Sequence, residues 1–218
     1  MVDFKNLKTP YFIGEIGINH NADMTVIKKL IDATHACNWD CAKFQKRNPD
    51  ICVPEHQKSK MRDTPWGRMS YIDYKHKIEL GSHEYDYINF YSKRKPIDWS
   101  ASVWDMDSLN FLMNYELPFI KIPSAMMTNE ELVTECAKTQ VPLIMSTGMS
   151  TLQEVDDAVN SVLKHTDNLV LMHTNSSYPT PISELNLSLI PFLAERYDCV
   201  IGYSGHEQDL EPSVVAAV

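Results

Sequence analysis

The feature that most constrains the fold of this chain is a repeated pattern. A short apolar run ends in a cluster of polar residues, and a helical pattern then begins. Short apolar runs that alternate with helices are typical of buried parallel strands in β/α units. The pattern predicts seven strands, within 12–21, 41–47, 97–105, 119–125, 142–150, 168–181 and 199–207. We therefore expect an α/β fold, a (β/α)8 TIM-type barrel, whose polar clusters meet at the C-terminal face where barrel enzymes carry their chemistry.

Capping residues mark where the predicted helices begin. The candidates are Asn21 or Asp23, Ser82, Asp105 or Asp107, Thr128 with Glu131, and Ser150 with Gln153 or Thr151 with Glu154. The stretch 48–77 has no clear periodicity and is rich in Pro, Lys, Asp, Met and aromatic residues. We expect it to form a long βα loop, the part of a barrel that carries substrate-specific elements.

The length of the chain bounds the barrel. At 218 residues it is shorter than the roughly 250 of a complete eight-unit barrel. We predict one domain over residues 1–218 that lacks its last β/α unit, because the sequence ends in an apolar helical start, EPSVVAAV. An eighth strand is expected to follow Val218.

Composition excludes several classes of function. The net charge is −9 and the basic residues are scattered, so neither nucleic acid nor an anionic membrane is an expected partner of the whole surface. A local basic pocket would be the informative exception. No stretch approaches membrane-spanning length. The five cysteines are odd in number and form no CxxC pair, which indicates reduced thiols in a cytoplasmic protein.

Two lysines lie inside predicted apolar strands, Lys43 in AKFQ and Lys121 in IKIPS. A buried lysine is costly unless its charge meets a negative group, so two inward lysines predict an anion pocket. Two alternatives stay open: either lysine could extend its head group to the solvated rim, or one could form a Schiff base with a carbonyl substrate.

Hydroxyl side chains end three of the predicted strands: Ser124, Ser146, Thr147 and Ser204. Hydroxyls and backbone N–H groups at strand-to-helix turns bind oxyanions. Each serine alone is equally explained as a helix cap.

A carboxylate and several histidines complete the candidate set. Glu15 interrupts the apolar run FIGEIGI and must pair, either structurally or as a catalytic group. His206 follows Ser204 out of the last strand. A metal would need a second ligand, for which His20, His173 and Glu15 are candidates; a lone strand-end histidine also serves as a hydrogen-bonding residue.

Taken in order, these segments resemble the N-acetylneuraminate (sialic acid) synthase family. The resemblance extends through essentially the whole chain, and the ordered set is more specific than any one motif. The segments are GEIGINHN, AKFQKR, SVWD, KIPSA, STGMSTLQEV, HTNSSYPTP and GYSGHE.

The resemblance implies a β/α-barrel enzyme that condenses phosphoenolpyruvate with an N-acyl hexosamine aldehyde to give a nine-carbon 2-keto acid and phosphate. It also implies a divalent metal, Mn2+ or alternatively Mg2+, and a homodimer for the full-length protein. The family's small C-terminal antifreeze-like domain has no counterpart within these 218 residues.

By position, the resemblance assigns Lys43 and Lys121 to the carboxylate and phosphate of phosphoenolpyruvate. It assigns Gln45 and Tyr178 to the sugar, and Glu15 to the attacking water or the metal shell. Hydrogen bonds around the anionic groups are assigned to Ser102, Ser124, Ser146, Ser176 and Ser204. His206 matches one of two metal-binding histidines.

Three departures from the family pattern limit the resemblance. The second metal histidine is expected beyond Val218. Met126 stands where an acid that contacts the sugar is usual, and Gly205 stands where Asp is common. The resemblance implies N-acetylmannosamine or a modified relative as the sugar, and the missing acid favours a modified relative, for example a diamino-dideoxy sugar. The alternatives are a Schiff-base aldolase and a non-catalytic barrel remnant that binds a sugar or a partner.

Overall fold

The computed structural model describes residues 1–217. The chain divides into two compact units. The first, called here the 11–118 unit, comprises Tyr11–Pro118, and the second, the 119–217 unit, comprises Met1–Pro10 and the chain from Phe119 onward.

The 11–118 unit contains three parallel strands, β1, β2 and β5, with β2 in the middle. Glu15 on β1 lies opposite Lys43 on β2, and Gln45 on β2 lies opposite Ser102 on β5. The elements are β1 Ile13–Gly17, α1 Met24–Ala36, β2 Cys41–Lys46, α2 Pro49–Cys52, α3 Glu55–Lys58, β3 Met61–Thr64, β4 Gly67–Ser70, α4 Tyr71–Ile78, α5 Ser82–Arg94, β5 Asp98–Val103 and α6 Met106–Leu112.

The 119–217 unit contains four parallel strands in chain order, β6 to β9. Lys121 on β6 lies opposite Ile144 on β7, and Ser146 on β7 lies opposite Met172 on β8. The elements are β6 Ile120–Ile122, α7 Glu130–Lys138, β7 Leu143–Ser146, α8 Leu152–Leu163, β8 Leu169–His173, α9 Leu189–Arg196, β9 Val200–Tyr203 and α10 Glu211–Ala217, with 3-10 turns at Phe4–Asn6, Ser124–Met126 and Ile182–Glu184.

Each of the seven predicted strands is present within its predicted interval. They alternate with helices that pack apolar faces inward, such as Ile27 and Ile31 of α1 and Val155 and Val159 of α8. The α/β class and its TIM-barrel-like β/α alternation are therefore confirmed. The missing eighth unit and the single domain over 1–218 stay predictions, and Val218 lies outside the described residues.

The stretch 48–77, predicted as a long βα loop, contains short elements of its own between β2 and α5. It holds α2, α3 and most of α4, together with an antiparallel hairpin of β3 and β4. Its individual elements are mostly four residues long, which is too short for a hydrophobic period to repeat.

Two predicted caps are wrong. Asn129, not Thr128, is the N-cap of α7, where its Oδ1 accepts a hydrogen bond from the Leu132 N–H at 3.1 Å. Ser82 is the first residue of α5, and the cap is Gly81, whose N–H donates to Glu84 Oε2 at 2.9 Å. Among the open pairs, Asp23, Asp105 and Thr151 are the caps.

Between Met1 and Ala217, no helix combines the length and the apolar character that crossing a membrane requires. The five cysteines are free thiols.

Candidate functional site

Lys43 is buried between two partners in the 11–118 unit. Only 6% of the residue is exposed. Its Nζ forms an ion pair with Glu15 and donates a hydrogen bond to Ser102 Oγ at 2.8 Å. The lysine head group therefore does not lie at a solvated rim. The carboxylate compensates the charge that burial would otherwise leave unpaired, and the Glu15 side chain itself remains 45% exposed.

Gly17 leaves room between Glu15 and Gln45. Its φ is +56°, a backbone conformation that favours glycine. A Cβ at this position would lie 3.1 Å from Glu15 Oε1 and 3.4 Å from Gln45 Nε2. The strand register also shifts between Glu15 and Gly17. The Glu15 carboxylate and the Gln45 amide thus both lie next to the position that a side chain at residue 17 would occupy.

Arg47 is a buried cation that the sequence reasoning did not single out, although it ends the motif CAKFQKR. Its Nη2 donates to Gln45 Oε1, and its Nε lies 3.4 Å from Glu79 Oε2. Glu79 also pairs with Lys46 Nζ at 3.0 Å. Burial raises the pKa of Glu79, while Lys46 and Arg47 act to lower it. Arg47 packs over the Trp104 ring at 4.9 Å. Arg47 and Glu79 are far apart in the sequence, so no local pattern indicates that they form an ion pair.

Lys121 has a similar environment in the 119–217 unit. It is 6% exposed, and its Nζ donates to Ser146 Oγ at 2.5 Å and to the Ile122 carbonyl at 3.2 Å. Ser146 is 2% exposed. A buried ammonium bonded to a serine hydroxyl therefore occurs in each unit.

The predicted residues Ser124 and Ser176 meet around Gly148. The Gly148 N–H donates to Ser124 Oγ at 3.1 Å. A Cβ at Gly148 would lie 2.9 Å from Ser124 Oγ and 2.4 Å from Ser176 Oγ, so no larger residue fits without movement. Ser176 Oγ and Thr174 Oγ1 are buried without a hydrogen-bond partner in the described chain. A cavity of about 710 Å³ borders them. Unpaired hydroxyls beside a cavity can accept or donate hydrogen bonds to a ligand.

His206 is oriented by a backbone carbonyl. Its Nδ1 lies 2.6 Å from the Asn175 carbonyl oxygen, which can only accept, so Nδ1 carries the proton and Nε2 the lone pair of the neutral ring. The ring centroid lies 4.0 Å from that of Tyr178. The Ser204 N–H donates to the His173 carbonyl at 2.9 Å. This orientation of His206 is common for metal-binding histidines.

The other two candidate histidines are used in local hydrogen bonds. His20 Nδ1 accepts from the Ala22 N–H at 2.9 Å, and burial lowers the pKa of His20 to about 4. His173 Nε2 donates to the Leu185 carbonyl at 2.7 Å. Over residues 1–217, no group of three or more His, Cys, Asp or Glu side chains could hold a metal ion. The donors described here therefore do not form a complete metal site.

Comparison with known proteins gives a consistent result. The sequence profile described as the NeuB family matches residues 30–218. The chain is 34% identical to N-acetylneuraminate-9-phosphate synthase of Drosophila melanogaster over 95% of this chain and 56% of that protein. It is 32% identical to N,N'-diacetyllegionaminic acid synthase of Legionella pneumophila, over 91% of this chain and 58% of that protein.

One solved structure is similar to this chain over nearly the full length of this chain. It is the crystal structure of N-acetylneuraminic acid (sialic acid) synthetase from Leptospira borgpetersenii in complex with citrate. The TM-score is 0.89 at 26% identity, and the match covers 99% of this chain and 73% of that one. The chain spans little more than half the length of the two curated relatives. On the match of the family profile to most of its length, the chain belongs to the NeuB family.

Proposed function

We propose that this chain carries the barrel part of a synthase that condenses phosphoenolpyruvate with an N-acyl hexosamine, N-acetylmannosamine or a modified relative. The products would be a sialic-acid-type nonulosonic acid and phosphate. The observation that carries the proposal is the pair of buried lysines, each bonded to a buried serine hydroxyl. The family relatives named as sialic and legionaminic acid synthases support it.

The lysines would supply the positive charge for phosphoenolpyruvate. Lys43 with Ser102, and Lys121 with Ser146, present ammonium and hydroxyl donors to carboxylate and phosphate oxygens. Further hydrogen bonds would come from Ser124, Ser176 and Ser204. Donors fixed in place before the reaction stabilise charge that grows on the departing phosphate.

Glu15 would act as the general base for the attacking water. The enol carbon of phosphoenolpyruvate attacks the aldehyde carbon of the sugar, water adds to the resulting cation, and the tetrahedral intermediate loses phosphate. A carboxylate that is half exposed and paired with Lys43 can accept the proton that water releases. Gln45 and Tyr178 would hold the sugar in position for this attack.

We further propose His206 as one ligand of a divalent cation, Mn2+ or Mg2+. Such a cation would act as a Lewis acid on the aldehyde oxygen. Because the described donors do not complete its coordination, we assign no step of the reaction to it. Manganese titration followed by electron paramagnetic resonance should show weaker binding in His206→Ala than in His83→Ala, which alters an exposed histidine. Equal titrations would remove His206 from the proposal.

The test of the function is phosphate release from phosphoenolpyruvate with a panel of N-acyl hexosamines. We expect release that depends on the sugar, lost in Lys121→Met and retained in Lys138→Met, where the lysine is half exposed. A covalent adduct trapped by borohydride with a pyruvate-like substrate would instead favour a Schiff-base aldolase. Absence of both reactions in the full-length protein, with sugar binding retained, would favour a non-catalytic barrel.

We also propose that the full-length protein is a cytoplasmic homodimer. Light scattering coupled to size-exclusion chromatography of the full-length protein would measure its mass directly.

A further inference from the structure

The Gln45 side chain, the proposed sugar contact, ends in an amide that has a donor end and an acceptor end. Its Nε2 lies 3.4 Å from the point where a Cβ of residue 17 would lie, and Glu15 Oε1 lies 3.1 Å from the same point. The two ends of an amide have nearly the same shape, so their hydrogen-bond partners decide which end faces a given neighbour. The group that faces a substrate therefore depends on what binds the other end of the amide.

Arg47 binds the oxygen end of this amide. Its Nη2 donates a hydrogen bond to Gln45 Oε1. A guanidinium has five N–H donors and no acceptor, and it stays charged in proteins. If the amide were reversed, an N–H of Gln45 would point at an N–H of Arg47, and both donors would lose their acceptor. Arg47 therefore disfavours the reversed orientation, which leaves the amide nitrogen free to donate on the side of Gly17.

Both residues of this contact are held by further interactions. Arg47 is 6% exposed, and its guanidinium packs over the Trp104 ring at 4.9 Å. The Arg47 backbone N–H donates to Glu79 Oε1 at 3.0 Å, and Nε lies 3.4 Å from Glu79 Oε2. The Tyr85 hydroxyl donates to the Gln45 backbone carbonyl at 2.8 Å. Supporting contacts of this kind hold a binding group in place before its ligand arrives.

Lys75 on α4 adds positive charge near Arg47 but no acceptor. It is 8% exposed, and its Nζ lies 5.1 and 5.5 Å from the ring centroids of Tyr71 and Tyr74. No Asp or Glu of the described chain lies within ion-pair distance of this Nζ. Burial, followed by repulsion from Arg47, lowers the pKa of Lys75 to about 8. The ammonium form only donates, so it does not compete with Gln45 Oε1 as an acceptor for Arg47 Nη2.

We propose that Arg47 is a positioning residue, which holds the Gln45 amide so that Nε2 donates a hydrogen bond to an oxygen of the acceptor sugar. In this arrangement Arg47 acts through Gln45 and does not itself contact the sugar. The inference rests on the proposed function, because it takes Gln45 as a sugar contact. It adds the direction of that hydrogen bond and the residue that sets it.

A double-mutant cycle tests whether Arg47 acts through Gln45. The four full-length proteins are the unaltered protein, Arg47→Met, Gln45→Ala and the double variant. Phosphate release gives the KM for phosphoenolpyruvate and for N-acetylmannosamine, which is replaced by another sugar of the panel if that sugar reacts faster. For Arg47→Met we expect about a tenfold rise in the sugar KM, as for loss of one hydrogen bond, and a change of less than about twofold in the KM for phosphoenolpyruvate. In the Gln45→Ala background, Arg47→Met should have no further effect.

The matched control is Arg68→Met, which removes the same charge from an exposed position of β4. We expect it to leave both KM values unchanged. Arg47→Lys keeps a charged donor on a shorter side chain, so the sugar KM should rise by only about threefold, and this rise should also disappear in Gln45→Ala. Circular dichroism checks folding, and the cycle with Arg47→Lys decides the question if Arg47→Met folds poorly.

Three results would overturn the inference: an unchanged sugar KM in Arg47→Met, a KM for phosphoenolpyruvate that rises as much as the sugar KM, or an effect of Arg47→Met that persists in Gln45→Ala. The second and third would assign a structural role to Arg47. If the unaltered protein binds a sugar but releases no phosphate, the proposed reaction fails, and the same cycle is measured by calorimetry as sugar dissociation constants. If it binds no N-acyl hexosamine, both proposals fail.

Discussion

At the scale of single residues, the Glu15–Lys43 ion pair determines whether the charge of Lys43 is available to a ligand. Lys43 is buried and Glu15 is half exposed. If the ion pair breaks, water can solvate the Glu15 carboxylate, whereas the Lys43 ammonium needs another negative partner. An incoming anion would compete with Glu15 for the ammonium and leave the carboxylate free to accept a proton.

The Glu15→Gln variant separates the role of Glu15 as the ion-pair partner of Lys43 from its proposed role as a proton acceptor. The amide keeps the shape but not the charge, so we expect phosphoenolpyruvate affinity to be maintained or increased while turnover falls by about 100-fold, as for loss of a general base. Calorimetry measures the first quantity and phosphate release the second. Glu55→Gln, at a carboxylate that is 88% exposed, should change neither. Weaker binding in Glu15→Gln would contradict the exchange argument.

His20 makes stability depend on pH. Its pKa is lowered to about 4 in the fold by burial, against about 6.5 in the unfolded chain. Between these values the unfolded state binds more protons, so the contribution is complete above about pH 6.5 and is lost as the pH falls toward 4. As the pH falls through this range, we expect protonation of His20 to decrease the free energy of unfolding by roughly 1–2 kcal/mol.

Urea unfolding between pH 4.5 and 7 measures the effect of His20. His20→Asn, whose side-chain oxygen can still accept from the Ala22 N–H, should flatten the pH dependence. His83→Asn, at an exposed position, should leave it unchanged. A slope that persists in His20→Asn would assign the effect to another group.

At the scale of elements, capping shows where local sequence misleads. Thr128 and Glu131 have the spacing of a capping box, yet α7 begins one residue later, and Asn129 accepts from the Leu132 N–H. Thr128 follows the 3-10 turn at Ser124–Met126, and the Asn129 N–H donates to the Met126 carbonyl at 3.0 Å. The backbone turn that precedes the helix therefore distinguishes two adjacent candidates of similar intrinsic preference.

Asn129→Ala should lower the free energy of unfolding by about 1 kcal/mol, because it leaves a helix N–H without its acceptor. Thr128→Ala should change it by less than about 0.5 kcal/mol. Urea unfolding of the two variants and the unaltered chain measures both. The reverse order would show that the cap lies at Thr128.

The length and residue pattern of each element determine whether it can be predicted from the sequence. The seven strands were predictable because each apolar run ends in turn chemistry, and Lys43 and Lys121 stood out against those runs. The hairpin of β3 and β4 was not predictable, since four-residue strands show no period. Arg47 and Gly148 were missed because their roles depend on distant partners, Glu79 for the arginine and Ser124 and Ser176 for the glycine.

At the scale of the whole molecule, the chain has a net charge of −9 and, among residues 1–217, four buried cations. Lys43, Arg47, Lys75 and Lys121 are all at most 8% exposed. Each lowers the stability of the fold unless a partner compensates it. The stability of the ligand-free chain and its capacity to bind anions are therefore opposed, as in many binding sites.

The cost of a buried charge to stability should be easiest to measure at Lys75, because this lysine lacks a carboxylate partner. Lys75→Met keeps the apolar contact with Tyr71 and Tyr74 and removes the charge, so we expect the free energy of unfolding to increase by roughly 1–2 kcal/mol near neutral pH. Lys77→Met should stay within about 0.5 kcal/mol of the unaltered chain. Urea unfolding measures the three proteins.

The pH dependence of this difference has a definite sign. The folded pKa of Lys75 is about 8, below the value of about 10.4 for a free lysine. The unfolded chain therefore binds more protons between these values, and the penalty carried by the unaltered chain is full below pH 8 and is relieved as the pH rises toward 10.4. The advantage of Lys75→Met should accordingly shrink over this range. An advantage that stays constant would mean that it arises from packing, and a loss of stability at neutral pH would mean that Lys75 is compensated in the free protein.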